Sequence, residues 1–262
     1  MKWYNYTSSI SRVKLDVIGG KSMNSINSMV IDKIEKIEPG KVFNYSEFSD
    51  ITDNYIALSK SLSRLTKNQK IKSVEKGVFY KPQKTRFGEL KPNTEEIIRN
   101  EIKPKKKTIG YITGVNMYNK LGFTTQISNV VEIAIRTRRK PKVIMGIKIK
   151  YIENKAQISE LTIQLLKYLD ILKNIKKIPD SDINESYRLI KIYIEALSKK
   201  EKRKMLNLSY DYSPQTRALL GKILEDTPDL NLEVLKKSLN PLTKFEFGLK
   251  DKKDNERWQI KR

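Results

Sequence analysis

The apolar and polar positions of residues 25–82 predict short elements in a definite order. Apolar residues at helical spacing predict a helix over residues 25–37; these are Met29, Ile34 and Ile37. Pro39-Gly40 then forms a turn before a short strand ending at Tyr45, in which β-branched and aromatic residues are frequent. Two helices and a hairpin follow, so the order is that of a winged helix-turn-helix.

Capping and turn residues set the predicted bounds of these later elements. The residues expected to cap the two helices are Ser46 for the first and Thr52 or Asp53 for the second. The first helix is predicted to end at Ile51 and the second near Lys67. The turn Glu75-Lys76-Gly77 lies between two apolar runs, which is the pattern of a β-hairpin. This hairpin is the predicted wing.

The second of these helices is predicted to have two different faces. Leu58, Leu62 and Leu65 recur at helical spacing and are expected to face the core. Hydroxyl groups and cations then lie on the opposite face, where they suit contacts to phosphates and base edges. The candidate DNA-contacting residues of the unit are Ser46, Tyr55, Ser59, Lys60, Ser63, Arg64 and Lys67, with Lys72, Lys76 and Lys81 in or beside the wing. A solvated helix face and a protein-docking module remain the alternatives.

Residues 81–92 contain two prolines, a glycine and many charges, which predicts a linker, placed at residues 83–93. Phe87 and Leu90 are expected to anchor it to a flanking domain. A capped helix is predicted from Asn93 or Thr94 to Ile102. Further along, the expected elements are a helix over 113–121 ended by Gly122, and strands over 130–135 and 147–152.

A strongly basic segment joins the two predicted strands. Residues 99–155 hold 14 basic and 3 acidic residues, against 13 and 8 in residues 25–92. Five of the cations fall within seven positions and are predicted to form a hairpin tip: Arg136, Arg138, Arg139, Lys140 and Lys142. Such a tip is either a solvated loop or a second contact to phosphates. We carry it as a candidate DNA contact.

From residue 159 onward the pattern is helical. Apolar stripes are predicted to pack in the core; the first consists of Leu161, Leu165, Leu169 and Leu172. Ser213-Pro214 is expected to start a later helix, because proline is favourable just inside a helix N-terminus. The charged end of the chain is expected to be mobile, with Trp258 as an anchor.

The predicted fold class is α+β, with an N-terminal winged helix-turn-helix, then a mixed α/β domain with a helical C-terminal part. The predicted divisions are an N-terminal arm (1–24), the winged helix-turn-helix (25–82), the linker (83–93), a C-terminal domain (94–242) and a charged tail (243–262).

The amino-acid composition reduces the number of possible classes of function. The chain has 262 residues, 53 Lys+Arg and 30 Asp+Glu, and thus a formal net charge of +23. Such an excess points to a polyanionic partner. Cysteine and histidine are absent, which excludes disulfides, thiolate metal sites and histidine-based catalysis. No apolar run approaches the roughly 18 residues of a membrane span. A cytoplasmic DNA-binding protein without cofactor or metal is therefore expected, with no membrane partner.

Four sequence blocks together resemble AbiEi-type antitoxins of type IV (abortive infection) toxin–antitoxin systems. The blocks are Pro39-Gly40-Lys41-Val42-Phe43, Gly77-Val78-Phe79-Tyr80-Lys81-Pro82, Arg86-Phe87-Gly88-Glu89-Leu90 and the segment Gly110 to Gln126. The resemblance covers residues 25 to 226. It implies a winged helix that binds the promoter of its own operon, a C-terminal domain needed for antitoxicity, and a neighbouring toxin of the nucleotidyltransferase type.

Two other classes of function remain open. A metal-dependent nuclease would depend on carboxylates such as Glu132, but the lysine expected two residues later is replaced by Ala134. Asp180-Ser181-Asp182 is similar to a metal-binding pair, although a helix cap is the more natural role for it. A protein-interaction adaptor without DNA binding is the remaining alternative.

Overall fold

The computed structural model describes residues 25–228 and 230–261 and is an α+β protein. The predicted N-terminal arm, residues 1–24, lies outside the described residues. The first elements along the chain are α1 (Ile26–Lys36), β1 (Val42–Asn44), a 3-10 helix (Tyr45–Phe48), α2 (Tyr55–Lys67), β2 (Lys72–Glu75) and β3 (Val78–Tyr80). These follow the predicted order.

The N-terminal elements enclose their own apolar core. β3 lies between β1 and β2 and is antiparallel to both, so Val42 and Lys72 flank Tyr80. The buried side chains are Val30, Ile34, Phe43, Phe48, Leu58, Leu62, Leu65, Ile71 and Phe79. The leucine face predicted for α2 is thus confirmed. Met29 is exposed, and Val30 takes its predicted place because it lies one helical turn before Ile34.

The 3-10 helix and α2 both begin with an asparagine cap, where the sequence analysis predicted serine, threonine or aspartate. Asn44 caps the 3-10 helix, since its Oδ1 accepts hydrogen bonds from the backbone N–H of Ser46 (2.9 Å) and from the Ser46 hydroxyl (2.7 Å). Asn54 caps α2 by accepting from the N–H of Ala57 at 3.0 Å. The predictions for Ser46, Thr52 and Asp53 were wrong, and asparagine is as good a cap as serine or aspartate.

The predicted linker contains a small hairpin. β4 (Gln83–Thr85) pairs with β5 (Gly88–Leu90), and the Thr85 hydroxyl donates to the Gly88 carbonyl at 2.8 Å. Phe87 at the tip is 90% exposed, and Leu90 is also exposed. The prediction that these two side chains anchor the segment was wrong, because the backbone satisfies its hydrogen bonds within the hairpin and needs no apolar anchor.

The second part of the chain begins with a helix and a mixed sheet. Its elements are α3 (Thr94–Ile102), a 3-10 helix (Pro104–Lys106), β6 (Gly110–Thr113), α4 (Gly114–Lys120), β7 (Val130–Ile135), β8 (Lys142–Ile144) and β9 (Ile147–Glu153). The strand order is β6-β7-β9-β8, and β7 and β9 are parallel. The predicted helix 113–121 begins one residue later, after a strand that the sequence analysis did not find.

The basic segment is not the hairpin tip that was predicted. The tight turn at Met145-Gly146 pairs β8 with β9, and β9 lies between β8 and β7. Residues 136–141 therefore form a loop that crosses the carboxyl end of β9. We call it the basic loop. The short strand β8, like β6, was not predicted from the sequence.

The N-terminal unit and the mixed sheet share a second apolar core. It contains Val42, Val78 and Tyr80 from the first sheet, Ile97 and Ile98 from α3, and Val131, Ile133, Ile135, Ile144 and Ile149 from the second sheet. α3 thus fixes the position of α2 and of the β2–β3 hairpin, the predicted wing, relative to the basic loop.

Helices cover the other face of the mixed sheet. They are α5 (Ile163–Asn174), α6 (Ile183–Glu195), α7 (Lys199–Ser209), α8 (Pro214–Leu224) and α9 (Glu233–Lys237), with a 3-10 turn at Ile175–Lys177. Asp182 caps α6, which is the role expected for it if it does not bind a metal. Pro214 lies at the start of α8, as predicted. Leu161 is exposed, because α5 begins only at Ile163, whereas the rest of its stripe is buried.

The charged tail is folded onto this helical part. Trp258 is completely buried, and its indole N–H donates to Glu225 Oε2 at 2.7 Å. Gly221 of α8 provides the space, since a Cβ atom there would lie 2.1 Å from the indole ring. Phe245 and Ile260 form a β-bridge beside it. The predicted anchor is confirmed, but the prediction that the surrounding tail is mobile was wrong.

A buried carboxylate joins the sheet to the helices. Asp170 of α5 accepts hydrogen bonds from the hydroxyls of Tyr111 (2.8 Å), Thr113 (2.7 Å) and Tyr212 (3.0 Å). The Asn154 amide donates to both tyrosine hydroxyls, at 2.8 and 2.7 Å. Every hydroxyl of this network is thereby satisfied in the interior, where an unpaired polar group would be costly.

We expect Asp170→Asn to flatten part of the dependence of stability on pH. Burial raises the pKa of the Asp170 carboxyl, although the three hydroxyl groups act in the opposite direction. The folded state therefore holds this proton more tightly than the unfolded state does. Its contribution makes the free energy of unfolding fall as pH rises from about 4 towards the raised pKa.

Urea unfolding of the wild type and Asp170→Asn at several pH values between about 4 and 7 measures this contribution. The difference between the two free energies of unfolding should change as pH rises from about 4 towards the raised pKa of Asp170. A constant difference would show that Asp170 has the same proton affinity in both states.

Candidate nucleic-acid interface

The polar face of α2 is open to solvent. Lys60, Ser63, Arg64 and Lys67 are exposed, and Ser59 is half-buried beside them. They lie opposite the buried leucines because one face of the helix packs on α1. α2 contains no carboxylate, and none of its three cations forms an ion pair within the described part of the chain. Their charges are available to an anionic partner.

The first turn of α2 lies beside the wing. The ring centroids of Tyr55 and Tyr45 are 4.7 Å apart, and Tyr45 packs against Phe79 at 5.9 Å. Tyr45 also touches the wing turn, because a Cβ on Gly77 would lie 3.2 Å from its ring. Tyr55 itself remains 60% exposed. These contacts fix the angle between α2 and the wing, and they present Tyr55 at the end of the polar face.

An open cleft of about 610 Å³ separates this end of α2 from the second part of the chain. Tyr55 and Ser59 line one wall, and Lys76 lies at the wing turn. Lys105 and Arg139 line the opposite wall. The cleft thus joins the α2 face to the basic loop through exposed cations on both sides.

Three of the predicted lysine contacts already have partners inside the protein. The Lys81 ammonium donates to the carbonyls of Glu35 (2.7 Å) and Ile37 (3.0 Å) at the end of α1. Lys72 forms an ion pair with Glu89 of the β4–β5 hairpin. We assign Lys81 to the C-terminal cap of α1, where a cation also suits the helix dipole.

Lys142 is the third, and it links the wing to α3. Its ammonium lies 2.9 Å from Glu75 Oε2 and 2.8 Å from the buried Glu101 Oε1. Burial alone would lower the pKa of Lys142, but the hydrogen bonds with Glu101 and Glu75 outweigh it and raise the pKa. Lys142 is therefore a charged structural link. Ser46 is likewise engaged, through its hydroxyl, with Asn44.

The cations of the basic loop are all exposed; they are Arg136, Arg138, Arg139 and Lys140. The Arg139 guanidinium lies 5.7 Å from the centre of the Tyr151 ring, which holds it over the end of β9. Arg139 also lines a second cavity, together with Arg136 and Lys107. Lys105 and Lys107 were missed as site residues, although the run Lys103-Pro104-Lys105-Lys106-Lys107 was a visible signal in the sequence.

The carboxylates considered for catalysis are dispersed. Glu132 pairs with Lys150 at 2.8 Å, and Asp182 caps α6. Over residues 25–228 and 230–261, no group of three or more Asp, Glu, His or Cys residues is placed to hold a metal ion. In the same residues, none of the helices is both long enough and apolar enough to cross a bilayer.

Comparison with known proteins gives a family but no function. No curated protein matches the chain. A family described only as of unknown function, DUF6088, matches residues 29–206, which include the α2 face, the cleft and the basic loop. The chain therefore belongs to the DUF6088 family.

Proposed function

We propose that residues 26–80 form a winged helix-turn-helix that binds duplex DNA through the polar face of α2. The main observation behind this proposal is that Lys60, Arg64 and Lys67 are exposed and lack ion-pair partners in the described chain. They share their face of α2 with Ser59 and Ser63. Arginine and lysine contact phosphates and guanine, and hydroxyls adapt to several bases. In this arrangement α2 is the recognition helix and Lys76 extends from the wing towards the flanking backbone.

The basic loop extends the proposed contact. Arg139 lies across the cleft from Tyr55 and Ser59, so a duplex seated on α2 can continue towards Arg136, Arg138 and Lys140. The fixed packing of α3 between the two sheets supports a single continuous surface, since no hinge is needed to align the two groups of cations. Each additional phosphate contact steepens the dependence of affinity on salt.

The wider role that we propose is that of a cytoplasmic antitoxin of the AbiEi type. Such a protein represses its own toxin–antitoxin operon and counteracts a nucleotidyltransferase-type toxin. Support comes from the four sequence blocks that resemble that family. Two of the blocks form the opening of β1 and the wing strand β3 of the proposed DNA-binding unit.

Binding to the DNA upstream of the protein's own gene tests the proposal. Fluorescence anisotropy should show that this duplex binds at physiological salt at least about 10³-fold more tightly than a shuffled duplex of equal length. A reporter driven by the same upstream DNA should be repressed when the protein is present. Equal affinity for both duplexes, or no binding, would contradict operator recognition. Rescue of cells that express the neighbouring gene tests the antitoxin role separately.

A further inference from the structure

A second cavity, of about 540 Å³, lies at the carboxyl end of β7, between the start of β6 and the loop that follows β9. Its polar lining consists of Lys107, Thr108, Arg136, Thr137, Arg139 and Gln157. We call it the Lys107 cavity. Lys107, Thr108 and Gln157 are not among the residues predicted to contact DNA.

The lining has the charge of an anion site. Three cations line it, and none of the described residues lining it is a carboxylate. Glu160 is close by, since its Oε1 accepts from the Thr108 hydroxyl at 2.5 Å. The same oxygen lies 2.7 Å from the Lys103 ammonium, and the hydrogen bond from Lys103, followed by that from Thr108, lowers the pKa of Glu160. The Glu160 carboxylate is thus already paired with Lys103, which does not line the cavity, and the three cations of the lining remain in excess.

The donor groups that line the cavity favour a phosphate group. Two guanidinium groups and one ammonium group line it, and guanidinium donors match phosphate oxygens in pairs. Ile109, Ile135 and Ile158 supply apolar walls. The Thr137 hydroxyl and the Gln157 amide add donors that need no net charge, whereas the Thr108 hydroxyl already donates to Glu160.

We propose that the Lys107 cavity binds one phosphate group. The phosphate belongs either to the backbone of a duplex or to a free phosphate-bearing ligand. Arg139 lines both this cavity and the cleft beside α2, so a backbone source would be the continuation of the duplex bound there. Occupation by the DNA backbone depends on the proposed function, whereas the existence of the phosphate site does not.

Titration of the full-length protein with inorganic phosphate, followed by amide NMR, tests the site without DNA. Ionic strength is held constant with chloride. Saturable shifts are expected at the amides of Thr108, Thr137 and Gln157. They should disappear in the double variant Lys107→Ala plus Arg136→Ala. They should persist in Arg203→Ala plus Lys237→Ala, which removes the same charge from exposed positions on α7 and α9. Shifts that do not saturate, or that survive in the cavity variant, would overturn the site.

The dependence of duplex affinity on salt shows whether the phosphate comes from the DNA backbone or from a free ligand. The quantity compared is the slope of log affinity against log salt concentration for the upstream duplex. If the backbone fills the cavity, the cavity variant should lower the magnitude of that slope by about 2, or about 1 for each lost cation contact. An unchanged slope, combined with lost phosphate binding, assigns the cavity to a free phosphate-bearing ligand. A wild type that binds phosphate but no duplex would reject the proposed function and leave the phosphate site standing.

Discussion

Replacement of Lys60 and Arg64 together by alanine is expected to weaken binding to the upstream duplex by about 2–5 kcal/mol, which is roughly 30- to 5,000-fold. Both side chains are exposed on α2 beside Ser63, and neither has an ion-pair partner in the described chain. The substitution removes two positive charges from the centre of the proposed interface. Titration with the fluorescent duplex at fixed salt measures the loss.

The matched control separates local contact from general charge. Arg203→Ala plus Lys237→Ala lowers the net charge equally, from exposed sites on α7 and α9. Both double variants should keep the wild-type melting temperature within a few degrees, because exposed substitutions change stability little. Similar losses of affinity in the two variants would mean that α2 has no special role and that only total charge matters.

Trp258→Ala should give the largest loss of stability among single substitutions in the tail, about 3–5 kcal/mol. The indole is fully buried, lies against Gly221 and donates to Glu225. Its removal leaves a cavity at the contact that holds the tail on α8. Urea unfolding followed by circular dichroism measures the free energy of unfolding.

Leu242→Ala is the control for this change, because Leu242 directly precedes the tail and is 91% exposed. Its unfolding midpoint should stay near that of the wild type. At a temperature where Trp258→Ala remains folded, duplex affinity should also be unchanged, since the tail contributes nothing to the α2 face. A midpoint for Trp258→Ala equal to that of Leu242→Ala would contradict the docked tail.

The sequence predicted α2 well because its signal is local. The period of Leu58, Leu62 and Leu65 determines the buried face, and the polar residues between them must then point outward. The caps were less predictable, since Asn44 and Asn54 compete with nearby serine, threonine and aspartate residues that cap equally well.

Contacts between distant segments account for most of the differences. The sequence suggested that Lys81 and Lys142 were free cations. Lys81 instead donates to backbone carbonyls about 45 residues away, and Lys142 pairs with the carboxylates of Glu75 and Glu101. The basic loop was misplaced because β9 inserts between β7 and β8, a pairing that periodicity cannot specify. The docked tail depends on the space at Gly221, which no pattern near Trp258 reveals.

Alkylation of a single introduced cysteine is the most direct test of the α2 interface. The natural chain contains no cysteine, so Ser63→Cys places one thiol on the proposed DNA-binding face. Asn207→Cys places one at an exposed position on α7 as the control. We predict that saturating upstream duplex slows maleimide reaction at Ser63→Cys and leaves the rate at Asn207→Cys unchanged. Duplex binding with no protection of Ser63→Cys would show that DNA lies on another surface and would contradict the account.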